Sequence, residues 1–198
     1  MLKSSKRLFF YIYLTANFVS KIIKPLALTV KFCYTLYGEI MKKIAKFYKV
    51  SETEYVKSGD SADYNDILLP KRATAGSAGY DFFAPFEFLL DAGETIKVPT
   101  GVRVQIDEGW VLKIYPRSSL GFKYRLTLNN TVGIIDSDYF FADNEGHIFI
   151  KMTNCGDQKI HVEKGKAFAQ GVFVEYGITV DDDACELRTG GLGSTDKK

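Results

Sequence analysis

The chain has 198 residues, of which 46% are apolar and 25% are charged, and its formal net charge is +2. This composition is typical of one globular domain with a single core, and so small a charge excludes a strongly basic nucleic-acid binder. Three cysteines without CxxC spacing and two isolated histidines are too few for a zinc site, and they favour a reducing compartment, which we take to be the cytoplasm.

Residues 1–40 differ from the rest, because they are rich in aromatic, aliphatic and lysine residues and contain a single acidic residue, Glu39. The uncharged run at 8–20 is shorter than the roughly 18 residues of a membrane span, and no small-residue cleavage site follows it as in a secretory signal. An interfacial amphipathic segment and translated upstream sequence remain as alternatives. We favour upstream sequence, because Met41 opens MKKIAKFYKV, which resembles a normal protein start.

The expected organisation is therefore an N-terminal extension at 1–40, a folded domain at 41–185 and a flexible arm at 186–198, with no membrane association. If the intact mass of the native protein corresponds to a chain that begins at Met1, the predicted start at Met41 is contradicted.

Short alternating runs between Gly, Asp and Asn turns recur from about residue 43 and predict an all-β fold. We expect the turn at 107–109 to form a hairpin within a β-meander, and the polar segment 51–66 to be a surface loop. The predicted strands are 42–51, 94–99, 102–106, 110–115, 147–154, 159–162 and 166–176.

Residues 116–121, PRSSLG, place a guanidinium group, two hydroxyls and free backbone N–H groups on a turn after a strand. Arginine binds phosphate oxygens in a bidentate manner, and hydroxyls and amides complete such a site. A solvated surface turn is the alternative. Small residues at 73–79 let the backbone come close to another group before Asp81, whose simplest role is a turn cap.

Residues 129–139 are predicted to form a hairpin, in which Gly133 lets a flat ligand lie against the main chain. On a strand, Asp136 and Asp138 would point to the same face. One carboxylate could then deprotonate a water while the other fixes the loop, although aspartates paired in a turn are commonly solvated turn formers. Gln170 lies within an apolar strand, where its amide needs hydrogen-bond partners, and His147 is expected to be structural or on the surface.

The order of these segments is more specific than any one of them. AGYDFFAP (78–85), PRSSLG, NTVGIIDSDY (130–139), KGKAFAQ (164–170) and RTGGLGST (188–195) resemble the five ordered motifs of the trimeric dUTP pyrophosphatases (dUTPases), closest in wording to bacterial and phage members of low-GC Gram-positive type. The resemblance implies a jelly-roll (β-clip) fold, a homotrimer with active sites at its subunit interfaces, and a glycine-rich lid. That tail, judged alone, could equally be a disordered terminus.

The resemblance also implies roles for individual residues. Asp136 activates the attacking water, and the Tyr139 ring lies under the deoxyribose, where it excludes a 2'-hydroxyl. The implied substrate is dUTP, hydrolysed at the α-phosphorus to dUMP and pyrophosphate, with Mg²⁺ bound to the triphosphate and contacted by Asp81 at most through water. The implied substrate-binding residues are Arg117, Ser118, Ser119, Asn130, Gly133, Ile134, Ile135, Tyr139, Gln170, Arg188, Gly191, Leu192, Gly193, Ser194 and Thr195.

Two features depart from the family pattern. Residues 140–145 intervene before Gly146, where the family reaches a glycine within two residues of the tyrosine, so this end of the predicted hairpin is enlarged. Leu192 stands where the family usually has a phenylalanine that stacks on the base. Because aromatic stacking adds about 0.5–1.5 kcal/mol beyond burial, we expect a modestly raised KM.

Two alternatives remain at this stage. A dCTP deaminase, or a bifunctional deaminase and dUTPase, shares the fold and the Arg-Ser-Ser turn, but its catalytic glutamate would stand three residues before Asn154, where this chain has Lys151. The second alternative is a regulator that senses dUTP through the same pocket and signals by closing the lid. Its partner would bind at 140–145, and a pull-down with and without a non-hydrolysable dUTP analogue would test it.

Overall fold

The structure, a computed structural model, describes residues 42–59, 63–186, 188, 190 and 191. Within these residues the secondary structure is mostly strand, so the predicted all-β class is confirmed. Two short helices, α1 (Glu52–Val56) and α2 (Ser118–Tyr124), and 3₁₀ turns at Tyr64–Asp66 and Ser137–Phe141 interrupt the strands. The strands are β1 (Ala45–Lys49), β2 (Lys71–Arg72), β3 (Tyr80–Phe83), β4 (Phe88–Leu90), β5 (Thr95–Pro99), β6 (Val102–Ile106), β7 (Trp110–Pro116), β8 (Leu126–Leu128), β9 (Gly133–Ile135), β10 (Phe149–Asn154), β11 (Ile160–Val162) and β12 (Ala167–Glu175).

The largest sheet has the strand order β2-β3-β12-β7-β9, and a second sheet has the order β5-β10-β8. β1 pairs with β6, β11 pairs with β4, and all the described pairings are antiparallel. The successive strands β5, β6 and β7 each pair in a different group, so the predicted β-meander with a hairpin at 107–109 is wrong. In a jelly roll the chain crosses between layers at its turns so that both layers cover one core, and turn residues alone do not show this.

The predicted hairpin at 129–139 is also wrong, because these residues contain one strand, β9, followed by a 3₁₀ turn, and the preceding strand β8 lies in a different sheet. β8 pairs with β10, whereas β9 pairs with β7. Between them Thr131 adopts a left-handed φ of 66°, and its N–H donates to the carbonyl of Leu128 at 3.1 Å. This tight turn carries the chain from one sheet to the other and makes β9 the last strand of the larger sheet.

Side chains from all the sheets form one buried cluster. On β10 the alternation is clear, because Ile150, Met152 and Asn154 are buried while Lys151 is exposed. Leu112 on β7 and Phe168 on β12 are completely buried. Burial of each such apolar side chain contributes roughly 1.5–3 kcal/mol, so this cluster fixes the strands that carry the polar groups described below.

The polar segment 51–66 is not simply a surface loop. Ser51 caps α1 by accepting a hydrogen bond from the N–H of Glu54 at 3.1 Å. Glu54 is buried, and its carboxylate accepts a hydrogen bond from Lys57 at 3.0 Å. The prediction missed α1 because five residues are too few to show helical periodicity.

The unit that carries the sheets begins at Ile44. Residues 1–41 lie outside the described part, so the N-terminal extension and the start at Met41 stay predictions. Among the described residues, neither helix is long and apolar enough to cross a bilayer.

Candidate active site

Asp81, Gln170 and Tyr115 lie side by side on β3, β12 and β7, because each is the register partner of the next. Asp81 Oδ1 lies 3.5 Å from Nε of Arg117, which follows directly after β7. The Gln170 amide donates to the carbonyl of Pro116 at 3.3 Å, and a Cβ on Gly79 would lie 3.0 Å from its oxygen. Gly79, one of the small residues before Asp81, therefore makes room for an amide of the protein itself.

The residues predicted to bind phosphate stand at the start of α2. Pro116 ends β7, and Arg117 occupies the N-cap position without capping the helix through its own side chain. Ser118 and Ser119 are exposed, and within the part of the chain that the structure describes no hydrogen bond involves either side chain. The predicted turn is thus the first turn of a seven-residue helix. We call this group the Arg117 cluster; it consists of Asp81, Arg117, Ser118, Ser119 and Gln170.

A concavity of about 420 Å³ lies beside the Arg117 cluster. Arg117, Ser118 and Gln170 line it together with Gly121 and the almost fully exposed ring of Phe122. Tyr115 and Pro116 complete the lining, so its polar side chains are one cation, a serine, a tyrosine and an amide, which suit an anionic ligand.

A second cavity, of about 330 Å³, lies along β9. Asn130, Gly133, Ile134 and Ile135 all line it, so the structure brings together the residues predicted to bind uracil. A Cβ on Gly133 would lie 3.1 Å from Cβ of Ile114. A side chain at this position would therefore crowd β7, and the predicted role of Gly133, which lets a flat ligand lie against the main chain, stays a prediction.

Asp136 follows β9 directly and is the N-cap of the 3₁₀ turn Ser137–Phe141. Its Oδ2 lies 3.2 Å from Nη1 of Arg188, and Oδ1 of Asp138 lies 3.5 Å from the same nitrogen. The two carboxylates face one side, as predicted, but they do so from a 3₁₀ turn, and they share one guanidinium group of the C-terminal arm.

Tyr139 is buried, with 4% of its surface exposed. Its hydroxyl donates to the carbonyl of His147 at 2.7 Å and accepts from Nδ2 of Asn144 at 2.8 Å. The guanidinium carbon of Arg188 lies 5.1 Å from the ring centroid. Burial raises the pKa of Tyr139, while the hydrogen bond from Asn144 and the charge of Arg188 oppose that rise. We call this group the Tyr139 cluster; it consists of Asp136, Asp138, Tyr139, Asn144 and Arg188.

The inserted residues 140–145 pack against the domain. The Arg103 guanidinium lies 3.8 Å from the centroid of the Phe140 ring and donates to the Phe140 carbonyl at 2.6 Å. Glu145 accepts from the hydroxyl of Ser51 at 2.7 Å and from its N–H at 2.8 Å. The bond from the hydroxyl and then that from the N–H lower the pKa of Glu145. The insertion is therefore fastened to the segment that begins α1.

His147 is completely buried and structural, one of the two roles predicted for it. Its Nε2 accepts from the N–H of Gly101 at 2.9 Å, so the proton of the neutral ring is on Nδ1. Burial lowers the pKa of His147 from 6.5 to about 4, and the negative charges of Glu54 and Glu145 oppose this in part. The ring stays neutral at ordinary pH and holds its carbonyl in place for the Tyr139 hydroxyl.

The structure thus sorts the predicted residues into three groups: the Arg117 cluster, the β9 cavity and the Tyr139 cluster. The two cavities share no lining residue. Leu192, Gly193, Ser194 and Thr195 lie outside the described residues. The sequence did not identify Asn144 as a member of the site. The feature that could have pointed to it is the inserted segment 140–145, which contains it.

Metal-binding side chains do not cluster in the described residues: no group of three or more His, Cys, Asp or Glu side chains is placed to hold an ion. Asp81 faces Arg117, so its carboxylate already has a cationic neighbour. This part of the chain therefore offers no cage for a resident metal.

The family model described as dUTPase matches residues 65–195, well over half of the chain. The chain belongs to the dUTPase family. The deoxyuridine 5'-triphosphate nucleotidohydrolase of Lactococcus lactis is 44% identical over 132 residues, which cover 65% of this chain and 88% of that protein. The protein of the same name from Mannheimia succiniciproducens is 41% identical over 151 residues, covering 72% of this chain and 97% of its own length.

Solved structures agree with this family. The dUTPase from Streptococcus mutans is 40% identical and superimposes with a TM-score of 0.55, covering 67% of this chain and 97% of its own. The dUTPase of Staphylococcus bacteriophage 80alpha, at 20% identity, covers 75% of this chain and 92% of its own with a TM-score of 0.55, which shows the shared fold. The predicted family, enzyme class and jelly-roll fold are confirmed.

Proposed function

We propose that this chain hydrolyses dUTP to dUMP and pyrophosphate, with the substrate bound as its Mg²⁺ complex, in active sites shared by three copies. The observation that carries the proposal is the position of Asp136, immediately after the strand that lines the β9 cavity. A base held against β9 places the rest of its nucleotide near this carboxylate. The reaction lowers dUTP and supplies dUMP, the precursor of dTTP.

The nucleoside is bound by the β9 cavity. Its volume of about 330 Å³ is at the lower end of the 300–1,000 Å³ range of ligand pockets. Backbone groups of residues 133–135 and the amide of Asn130 supply hydrogen bonds to uracil, and the narrowness of the cavity excludes a thymine methyl group. Tyr139 lies under the deoxyribose and leaves no room for a 2'-hydroxyl.

The triphosphate is bound by the Arg117 cluster, whose guanidinium, hydroxyl and amide groups suit phosphate oxygens. Arg188, Gly191 and the following residues Leu192, Gly193, Ser194 and Thr195 close over it as a lid. The nucleoside cavity and the concavity of the Arg117 cluster are separate within one chain. This separation supports a homotrimer in which one copy supplies the nucleoside cavity and a neighbour supplies the phosphate cluster.

Asp136 acts as the general base. It takes a proton from a water whose oxygen bonds to the α-phosphorus, while the bond from that phosphorus to the bridging oxygen breaks and pyrophosphate leaves with the bond's electrons. Arg188, which contacts both Asp136 and Asp138, links the base to the lid. Arginines and lid amides stabilise the charge that develops on pyrophosphate.

Magnesium enters as part of the substrate. The described residues present no group of three ligands, and Mg²⁺ prefers phosphate and water oxygens to a protein cage. Asp81 would touch the ion only through a water.

One assay tests this function. The purified protein is incubated separately with dUTP, dCTP and dTTP and with Mg²⁺, and both pyrophosphate and ammonia are measured. We expect pyrophosphate from dUTP alone and no ammonia. Ammonia from dCTP would support a deaminase instead, and the absence of pyrophosphate from dUTP would overturn the proposal. Sedimentation of the same sample tests for the trimer.

A further inference from the structure

Asn144 lies in the inserted segment and makes polar contacts with both of its amide atoms. Nδ2 donates to the Tyr139 hydroxyl at 2.8 Å and lies 3.4 Å from the carbonyl of His147. Oδ1 accepts from the N–H of Gly146 at 3.2 Å. The amide has a donor at one end and an acceptor at the other, so these partners fix its orientation.

The Tyr139 hydroxyl requires a hydrogen-bond donor at the position of the Asn144 side chain. A phenol has one hydrogen, and Tyr139 gives it to the carbonyl of His147. The oxygen can then only accept, and Asn144 supplies the donor. An aspartate of the same size could not donate when ionised, and it would place a charge beside a buried phenol.

The C-terminal arm lies on the same amide. A Cβ built on Gly191 would lie 3.2 Å from Cγ of Asn144 and 3.3 Å from both its Nδ2 and its Oδ1. Arg188, three residues earlier, lies over the Tyr139 ring. The arm therefore comes close to both members of one hydrogen-bonded pair, to Tyr139 through Arg188 and to Asn144 at Gly191.

We propose that Asn144 is a positioning residue that fixes the Tyr139 ring and seats the arm at Gly191, and that it thereby sets the selectivity for dUTP over UTP. This inference rests on the proposed function, in which the ring packs under the deoxyribose. A ring held by two hydrogen bonds cannot move aside for a 2'-hydroxyl, whereas a ring held by one has more freedom. The inserted segment thus contributes to substrate selection without touching the substrate.

The first test is Asn144→Asp, which keeps the volume of the side chain and removes its donor. We expect the ratio of kcat/KM for dUTP to that for UTP to fall about tenfold. Asn65→Asp makes the same chemical change in an exposed turn, and we expect it to leave the ratio unchanged. A wild-type ratio in Asn144→Asp would overturn the proposal.

The second test separates positioning from general damage to the fold. In a Tyr139→Phe background the hydroxyl is absent, so Asn144→Asp should not lower the ratio further. A second loss of similar size there would show that Asn144 does not act through Tyr139 and would overturn the proposal.

The third test concerns the arm. Gly191→Ala should raise the KM for dUTP severalfold, and adding Asn144→Ala should remove most of this effect, because the atoms that a methyl group would meet are gone. If Gly191→Ala raised the KM equally in the wild-type and Asn144→Ala backgrounds, the proposal that Asn144 positions the arm at Gly191 would be overturned.

If the wild-type protein released no pyrophosphate from dUTP, the proposed function would fail while the coupling could still be measured. The double-mutant cycle of Asn144 and Tyr139 is then carried out on urea unfolding midpoints. Additive shifts would overturn the pairing, and non-additive shifts would support it.

Discussion

The Arg117 cluster and the Tyr139 cluster contain similar groups, because each has an arginine near carboxylate and hydroxyl groups. The two clusters differ in how far these groups are exposed and hydrogen-bonded. In the first, the two serine hydroxyls are exposed, and the Arg117 side chain is 42% exposed with one contact at 3.5 Å. In the second, the tyrosine hydroxyl is buried with both a donor and an acceptor. The Arg117 cluster therefore leaves its serine hydroxyls and much of its guanidinium group to a ligand, whereas the Tyr139 cluster satisfies its hydroxyl internally.

This difference predicts two kinds of mutational effect. Changes at Arg117, Ser118 and Ser119 should alter substrate affinity with little effect on stability, because no folded contact depends strongly on these exposed or half-exposed side chains. Changes around Tyr139 should alter stability, since buried polar groups left without a partner are costly. Asp136 stands at the edge of the second cluster, where its carboxylate is half exposed, and should affect catalysis alone.

The largest expected effect is that of Asp136→Asn. Loss of a general base should lower kcat for dUTP by about 10² to 10⁴-fold, with the oligomer unchanged in sedimentation. Asp138→Asn is the matched control, since it removes the same charge beside the same arginine, and its loss should be much smaller. If Asp136→Asn and Asp138→Asn lowered kcat equally, Asp136 could not be distinguished from Asp138 as the general base.

The next effect is the dependence of stability on pH through His147. Its pKa of about 4 in the folded chain lies below the ordinary 6.5, so below pH 6.5 the unfolded chain binds a proton that the folded chain does not. The contribution of His147 to the free energy of unfolding should therefore fall between about pH 6.5 and 4, by on the order of 3 kcal/mol, and change little below pH 4.

Urea unfolding across this range measures the change. His147→Gln should flatten the slope in this window, whereas His161→Gln, at an exposed histidine paired with Glu87, should keep it. An unchanged slope in His147→Gln would place the proton uptake elsewhere.

Arg117→Lys tests the open cluster. Lysine keeps the charge but not the bidentate geometry, so we expect the KM for dUTP to rise about tenfold, equivalent to about 1.4 kcal/mol, with the unfolding midpoint unchanged. Arg125→Lys makes the same change at the other end of α2, away from the concavity, and should leave KM as it is. A large loss of stability in Arg117→Lys would contradict the view that the fold does not depend on the Arg117 side chain.

The smallest effect is expected for Glu145→Gln. The carboxylate accepts two hydrogen bonds from Ser51, and a neutral amide would weaken both, which should lower the free energy of unfolding by about 1 kcal/mol. Glu163→Gln, in an exposed pair with Lys166, should change it hardly at all. Chemical denaturation of the two variants at pH 7 distinguishes them.

The sequence predicted most of the strands, because alternation is a local property. β1, β6 and β12 fall within or on their predicted spans. It could not predict which strands pair, since the turns at 107–109 and 129–132 resemble hairpin turns and yet carry the chain between sheets. Helix α2 was also missed, because it is short and contains Gly121, a poor helix former.

The residues of the candidate site could be predicted where they lie in short sequence motifs. Arg117, Asn130 and Asp136 could be named from short segments and from their order along the chain. Asn144 and His147 could not, because their roles depend on contacts with Tyr139 and Gly101 that only the folded chain brings together. The inserted segment was visible in the sequence, but its contacts with α1 and the arm were not.

The position of β9 at the end of its sheet has one more consequence. A long, flat strand at a sheet edge offers its backbone groups to other copies and promotes aggregation. β9 has only three residues, with the left-handed Thr131 shortly before it and a 3₁₀ turn directly after it. A strand of this length presents too few groups to recruit another chain, yet in the function proposed above it offers enough to match the edge of one pyrimidine. The proposed uracil site therefore keeps a backbone edge open without promoting aggregation.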